Sequence, residues 1–222
     1  MNLEYVKDKI EFYKDFPIKG VEYIDLNPIY KDPKARNILV EKCIECIKSV
    51  EFDYLALIES RGFLIGSIIA DKLNKGIILC RSKKDRLPGK IQTVRHKLEY
   101  GEAVMQVQEG NGKVLIFDDV LATGGTANGA FKVLNLGGYT PVHSLFLVEL
   151  SKFDVNCDTS FSSAMIIWKV FKKRKDFLAE RGGFEPPVRV LAYDSLANCW
   201  FKPLTHLSYL NGKYNYIIIF LI

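Results

Sequence analysis

The stretch 114–127 constrains the fold more than any other part of the chain. It begins with an apolar run, continues with two adjacent aspartates, and ends in a loop of small residues around Gly124 and Gly125. An apolar run followed by such a loop predicts a buried strand of a parallel sheet, and the spacing of Ala130 and Val133 predicts a helix after it. The chain is therefore expected to adopt an α/β fold built around this strand, loop and helix.

The glycine loop has the composition of an anion site. Glycines let backbone N–H groups converge on an anion, and the positive end of the following helix adds to the attraction. Thr123 and Thr126 can add hydroxyl donors to the same oxygens. The adjacent carboxylates of Asp118 and Asp119 suit the 2′ and 3′ hydroxyls of a ribose, or a magnesium ion reached through water. The pattern predicts a site for a ribose 5-phosphate.

The loop has three other possible interpretations: a P-loop, a dinucleotide-binding loop and an ordinary turn. A P-loop needs Gly-Lys-Ser/Thr after its glycines, and the first lysine after this loop is Lys132. A dinucleotide fingerprint needs G-x-G-x-x-G, which the paired glycines do not supply. An ordinary strand-to-helix turn with a surface Asp pair fits a bare DD-plus-GG pattern about equally well.

Four further segments contain residues suited to the same chemistry, namely residues 16–28, 59–63, 81–89 and 97–102. Arg61 falls where a helix should begin, and a guanidinium there can hold a pyrophosphate. Taken singly, each segment has a plainer interpretation: Tyr23 packing a core, Arg61 on the surface, a solvated basic loop, and an exposed Glu99. Residues 88–97 are polar and lack periodicity, so a mobile loop that closes over substrates is expected there.

Together and in this order, the segments resemble the type I phosphoribosyltransferases, and most of all the adenine phosphoribosyltransferase family. Asp-Asp-Val-Leu-Ala-Thr-Gly-Gly-Thr at 118–126 resembles the family's phosphoribosyl pyrophosphate (PRPP) motif. Glu-Ser-Arg-Gly-Phe at 59–63 resembles its pyrophosphate loop, and Leu-Glu-Tyr-Gly at 98–101 resembles a further family motif. Residues 16–28 resemble its N-terminal hood. The resemblance covers residues 1–154.

The resemblance implies an α/β fold: a type I phosphoribosyltransferase core with a central mainly parallel sheet and an N-terminal hood, followed by an irregular C-terminal tail. It implies a glycosyltransferase that moves the 5-phosphoribosyl group from PRPP to adenine, giving AMP and pyrophosphate in purine salvage. It also implies Mg²⁺ as cofactor and a homodimer. Two alternatives stay open: a PRPP-binding regulator without catalysis, and an inactive product of a disrupted phosphoribosyltransferase gene.

The resemblance also assigns site residues. The catalytic residue is Glu99, which would manage the proton of the base. The PRPP-binding residues are Arg61, Arg81, Lys83, Asp118, Asp119, Ala122, Thr123, Gly124, Gly125 and Thr126. Adenine would lie between Tyr23 and Phe153, while Arg86 and Tyr100 belong to the flexible loop. No residue is assigned as a direct metal ligand, because Mg²⁺ would be held through PRPP and water.

Two features depart from the family pattern. Ile24 stands where the family commonly has arginine, so any base contact made by that side chain is lost. The basic stretch 81–89 has one extra residue, and Ser82 replaces the usual lysine. The pairing of Lys83 or Lys84 with a family lysine therefore stays open.

The charge of the chain argues against nucleic acid as its main partner. The net charge is +5, but residues 1–154 hold 22 Lys+Arg against 21 Asp+Glu, and residues 155–222 hold 9 against 5. The front is therefore nearly neutral. Residues 1–16 lack the apolar run of a secretory signal, and the final apolar run is too short to span a bilayer. A cytoplasmic protein without a membrane partner is expected.

The five cysteines are odd in number and scattered along the chain. Cys43 and Cys46 fall within a helical pattern, and no second pair follows them. Apolar packing is therefore favoured over a zinc or redox role, and a reducing compartment fits.

Residues 155–222 do not resemble the family. Their stretch 181–207 resembles translations of reading frames that run through transfer-RNA genes, which favours a frame disruption near Asp154 and read-through. An unfamiliar second domain and a basic interaction tail are the alternatives. Without the family's final strand, an open sheet edge is expected near Leu147 and Leu150.

Overall fold

A computed structural model describes residues 2–16, 19, 22–98, 101–151 and 153–167 of the 222-residue chain. Its helices are α1 (Leu3–Lys7), α2 (Asn27–Lys31), α3 (Pro33–Cys46), α4 (Gly62–Lys72) and α5 (Gly125–Leu136). The strands are β1 (Glu11–Lys14), β2 (Glu22–Asp25), β3 (Tyr54–Ile58), β4 (Gly76–Cys80), β5 (Ile91–Leu98), β6 (Gly101–Gln108), β7 (Gly112–Leu121), β8 (Tyr139–Leu150) and β9 (Phe161–Ile167).

The centre of the fold is a five-stranded sheet in the order β4-β3-β7-β8-β9. Every neighbouring pair in this sheet is parallel. The predicted α/β class with a central parallel sheet is therefore confirmed, and the stretch that begins at Val114 forms its middle strand, β7. Two antiparallel ribbons accompany the sheet: β1 with β2 in the N-terminal hood, and β5 with β6.

Both faces of the sheet are buried, as the apolar strand sequences predict. Successive side chains of a strand point to opposite faces, so β3 contributes Leu55 and Leu57 to one core cluster and Ala56 and Ile58 to the other. Helices α3 and α4 cover the first face. Helix α5 and strand β6 cover the second, with Met105 among its buried side chains.

The N-terminal hood is joined to the same core. Ile24 is 2% exposed and packs in the cluster that also contains Leu39 of α3. The neighbouring Tyr23 is only partly buried, because the strand places it on the opposite face. The apolar residue at position 24 is thus a core residue of this chain.

The open edge expected beside β8 is wrong. Strand β9 pairs in parallel with β8 from Ser144 opposite Phe161 to Leu150 opposite Ile167. Ala164 and Met165 of β9 are buried in the core cluster on the α3 face. The first part of the segment that does not resemble the family therefore completes the sheet. Residues 168–222 lie outside the described part of the chain.

The loop expected at 88–97 is also wrong in part. Residues 91–98 form β5, which pairs in antiparallel register with β6 from Ile91 opposite Gln108 to Leu98 opposite Gly101. Its apolar residues Ile91, Val94 and Leu98 are spaced three and four apart, so the sequence has no period-2 signal for this strand.

Because Met165 of β9 is buried in the core, Met165→Ala should lower the free energy of unfolding by about 2–5 kcal/mol, as truncations of buried side chains do. Ile166→Ala is the matched control, because Ile166 is 45% exposed on the same strand. Urea unfolding of both variants measures the difference. Equal, small losses would contradict the burial of β9.

Candidate functional site

The expected site residues converge at the carboxyl edge of the sheet. The loop 59–61 follows β3, Arg81 follows β4, and the loop 122–124 follows β7. These three strands are neighbours in the order β4-β3-β7, so their carboxyl ends lie side by side. In open α/β sheets this edge is where ligands bind.

A buried ion pair forms the middle of this edge. Arg61, at the start of α4, places its Nε 2.8 Å from Oδ2 of Asp119, and the two side chains are 22% and 5% exposed. The Arg61 Nη2 also donates to Asp119 Oδ1 over 3.4 Å. Both oxygens of Asp119 therefore face one guanidinium. A charged pair so far from water is held by hydrogen bonds as well as by attraction.

Two tyrosines connect this ion pair to the N-terminal part of the chain. The Tyr30 hydroxyl of α2 donates to Asp119 Oδ2 over 3.4 Å, and Arg61 Nη1 donates to the Tyr23 hydroxyl over 3.5 Å. Burial and the charge of Asp119 raise the pKa of Tyr30, so it acts here as a neutral donor. The hood is thereby bound to the carboxyl edge through Arg61 and Asp119.

Asp118 is the more exposed member of the carboxylate pair. Its Oδ1 accepts the backbone N–H of Asp119 over 2.9 Å and lies beside Gly62, where an added Cβ would come within 3.3 Å. Burial, and then the charge of Asp119, raise the pKa of Asp118 well above its ordinary value. A carboxylate kept in this position is available to accept hydrogen bonds from a ligand.

Helix α5 begins directly after Gly124 of the glycine loop. Gly124 has φ of +94° and precedes the first helical residue, Gly125. In the described part of the chain no side chain caps this helix. Its first N–H groups therefore point toward the edge without helical partners, which favours an anion. Ala122 is buried, while Thr123 and Thr126 are partly exposed.

Arg81 is fixed by Glu59, which belongs to the loop 59–61 at the same carboxyl edge of the sheet. Glu59 Oε1 lies 3.3 Å from Arg81 Nη2, and its Oε2 accepts hydrogen bonds from the N–H and hydroxyl of Ser82. The backbone of Arg81 is bonded in both directions to Gln106 of β6, and its guanidinium lies over Phe63. The Glu59–Ser60 peptide bond is cis.

Other expected site residues are less closely connected. Lys83 and Arg86 are exposed on the basic loop after β4, and no contact within the described residues joins them to Asp118. Tyr23 meets Phe16 edge-on with ring centroids 5.1 Å apart. Phe153 follows β8 and packs on the core cluster of the α3 face. The residues Glu99 and Tyr100 lie outside the described part of the chain.

Tyr30 was missed by sequence reasoning. It follows Pro28 in a short helix and belongs to no motif, so its pairing with a residue 89 positions away has no local signal. The residues described contain no group of three or more His, Cys, Asp or Glu side chains arranged to hold a metal ion. Within the same residues, no helix is both long and apolar enough to cross a lipid bilayer.

Comparison with known proteins finds relatives of one family. The adenine phosphoribosyltransferase of Prochlorococcus marinus (strain NATL1A) is 43% identical over 154 residues, which are 68% of this chain and 89% of that protein. No protein-family model matches the chain.

Solved structures show the same fold. The adenine phosphoribosyltransferase of Thermoanaerobacter pseudethanolicus has a TM-score of 0.70 at 32% identity, and the match covers 75% of this chain and all (100%) of that one. The Saccharomyces cerevisiae enzyme, complexed with an imino-altritol bisphosphate and adenine, has a TM-score of 0.65 at 26% identity over 72% of this chain and 97% of that one.

The raised pKa of Asp118 predicts a stabilising substitution at the site. A carboxyl whose folded pKa exceeds its unfolded value of 3.8 binds its proton more tightly when folded. The free energy of unfolding therefore falls as the pH rises from about 3.8 through the folded pKa of Asp118, because the folded protein ionises this carboxyl less readily than the unfolded chain does. Asp118→Asn should be more stable than the wild type near neutral pH, and the difference should shrink as the pH falls toward about 4.

Urea unfolding across this pH range measures the effect. Asp71→Asn is the control, because it removes the same charge from an exposed position on α4. An Asp118→Asn protein that is less stable than the wild type at neutral pH would contradict the assigned cost of burying Asp118.

Proposed function

The chain belongs to the adenine phosphoribosyltransferase family, and we propose that it transfers the 5-phosphoribosyl group of PRPP to adenine, giving AMP and pyrophosphate. It would act as a glycosyltransferase of purine salvage. The observation that carries this proposal is the unit formed by β7, the glycine loop and α5, with Asp118 and Arg61 at the same edge of the sheet.

The loop from Ala122 to Thr126 would bind the 5′-phosphate of PRPP. The N–H groups at the start of α5 have no helical acceptors, and the helix end attracts negative charge. Thr123 and Thr126 would add hydroxyl donors. The 5′-phosphate does not react, so the free energy of binding it at this loop can serve to fix the position of C1′.

The two aspartates would have different tasks. Asp118 is partly exposed and would accept hydrogen bonds from the ribose hydroxyls. Asp119 has both oxygens on Arg61 and would orient that guanidinium toward the pyrophosphate while it remains close to the ribose. As pyrophosphate leaves, C1′ gains positive charge, which the nearby carboxylates favour.

The leaving pyrophosphate needs cations, and the site has several. Arg61 lies at the start of α4, and Arg81 is fixed by Glu59 at the end of β4. The exposed Lys83 and Arg86 lie on the basic loop that follows. We propose that this loop contributes its charges once PRPP is bound, because forked guanidinium donors match phosphate oxygens.

Mg²⁺ is proposed to enter with PRPP. The described residues contain no side-chain cluster that could hold the ion alone, but Asp118 offers the oxygen ligands that Mg²⁺ prefers, directly or through water. The bound ion would neutralise charge on the pyrophosphate. Asp118 would then hold both the ribose and the water shell of the ion.

Adenine is proposed to stack on Tyr23, with Phe153 toward its other face. Tyr23 is partly buried beside the carboxyl edge, where its hydroxyl meets Arg61. Glu99 and Tyr100 follow β5 in the sequence and lie outside the described residues. Glu99 would accept the proton of adenine while the adenine nitrogen attacks C1′. Closure of the flexible loop would exclude water from Glu99 and so raise the basicity of its carboxylate.

We also propose a homodimer in the cytoplasm. Three large apolar side chains are exposed around the edge strand β4 and helix α4: Leu64 of α4 at 52%, and Ile77 and Leu79 of β4 at 43% and 39%. An apolar surface of this kind favours association with a second copy. Cys43, Cys46, Cys80 and Cys157 are free thiols, which fits a reducing compartment.

The family sequence is proposed to end near Asp154, with residues 155–222 as a tail of other origin, such as a frame change and read-through. The alignment with the Prochlorococcus relative covers 68% of the chain, whereas the Thermoanaerobacter structure matches 75% of it. The fold therefore continues beyond the sequence identity. Strand β9 is one part of this tail that the family-like domain uses.

A turnover assay on the full chain tests the proposed function. With PRPP, Mg²⁺ and adenine, AMP and pyrophosphate should appear in equal amounts. Adenine should be preferred over hypoxanthine, guanine and orotate, because a stacking site closed by Leu-Glu-Tyr-Gly resembles the adenine-specific family. A 6-oxopurine that reacts faster than adenine would refute the choice of base.

The proposed role of Glu99 has its own test. Glu99→Gln should lower kcat by about a hundredfold or more, the usual size of general acid–base catalysis, with little change in PRPP affinity. Glu109→Gln is the matched control, because Glu109 is exposed at the end of the same ribbon and bonded to Gln92. A Glu99→Gln enzyme with wild-type kcat would remove Glu99 from the mechanism.

A further inference from the structure

A segment outside the sequence resemblance lies directly on the glycine loop. The backbone N–H of Asn156 donates to the carbonyl oxygen of Thr123 over 3.0 Å. Val155 and Cys157 pack beneath the loop in a small apolar cluster with Leu121 and Ala127. Residues 155–158, which we call the brace, are thus attached to the loop by a hydrogen bond and by apolar contact.

Asn128, in the first turn of α5, holds the brace at two points. Its Nδ2 donates to the carbonyl oxygen of Asn156 over 2.7 Å, and its Oδ1 accepts the backbone N–H of Asp158 over 2.8 Å. One carboxamide therefore pairs with the main chain of the brace on either side of Cys157. Its own backbone N–H donates to Gly124, so the same residue also closes the first turn of the helix.

The brace also leaves Gly124 no room for a side chain. A Cβ on Gly124 would collide with the carbonyl oxygen of Asn156 and lie 3.0 Å from the Cys157 sulfur. The left-handed conformation of Gly124 is thus enclosed between the helix it precedes and the brace. The backbone shape of the loop therefore depends on contacts with a segment that lies far along the chain, after β8.

We propose that Asn128 is a positioning residue for the 5′-phosphate loop, and that it acts by holding the brace against Thr123 and Gly124. This inference rests on the proposed binding of PRPP at that loop. Backbone N–H groups bind an anion well only when their directions are fixed before the ligand arrives. Both polar atoms of the Asn128 carboxamide bond to the brace. The proposed role therefore requires no contact between Asn128 and the phosphate.

Asn128→Ala tests this role. Calorimetry with ribose 5-phosphate should show binding about tenfold weaker than in the wild type, equivalent to about 1.4 kcal/mol. The KM for PRPP should rise by a similar factor, while kcat and the KM for adenine change little. Asn135→Ala is the matched control, because Asn135 is exposed in the same helix and its carboxamide donates to the Phe131 carbonyl oxygen of that helix.

A second pair of variants isolates the brace. The brace bonds to Thr123 and to Asn128 through the main chain of Asn156 and Asp158, so Asn156→Ala should bind ribose 5-phosphate like the wild type. Asn156→Pro removes the N–H that Thr123 accepts and should reproduce the weaker binding. Equal effects of the two substitutions would overturn the role of the brace.

The outcomes separate this inference from the function on which it rests. A wild type that binds neither ribose 5-phosphate nor PRPP would overturn both. A wild type that binds ribose 5-phosphate, with Asn128→Ala binding equally well, would overturn only the role of Asn128. A parallel loss of adenine and PRPP affinity would mean that Asn128 merely supports the fold, and would overturn the positioning role as well.

Discussion

The burial of two adjacent carboxylates at the end of the middle strand is the constraint on which the rest of the site depends. Two negative charges side by side, largely out of water, are costly unless a cation and hydrogen-bond donors accompany them. Arg61 meets that need for Asp119, and the backbone of Asp119 meets part of it for Asp118. The parallel order β4-β3-β7 brings these groups together, because the loop carrying Arg61 follows the strand next to β7.

The same ion pair explains why the N-terminal hood belongs to the site. Tyr23 and Tyr30 reach Arg61 and Asp119 from β2 and α2, while Ile24 and Ile29 anchor these elements in the core. The stability of the hood and the electrostatics of the edge are therefore coupled. A ligand that draws Arg61 away from Asp119 would also loosen the contact of Arg61 with Tyr23.

The sequence alone was sufficient for β7, the glycine loop, α5 and the Arg61 loop, because in each of them the signal is local. An apolar run, paired glycines and a helical spacing within about fifteen residues of one another leave few alternatives. Strands β5 and β9 were missed for opposite reasons. Strand β5 is polar and is specified by its partner β6, whereas β9 is a short Ser-containing run whose position depends on the free edge of β8. Contacts such as Tyr30 to Asp119 and Asn128 to Asn156 join distant segments, and no local pattern encodes them.

The central claim is that one edge of this sheet binds both ends of PRPP. Phosphorus NMR of PRPP with Mg²⁺, titrated with the full chain, tests it most directly because it needs no turnover. We expect saturable shifts or broadening of the 5′-phosphate and pyrophosphate resonances together. The Arg61→Ala substitution should weaken the response of the pyrophosphate more than that of the 5′-phosphate. Unchanged resonances with the wild-type chain, or a response confined to the pyrophosphate, would contradict it.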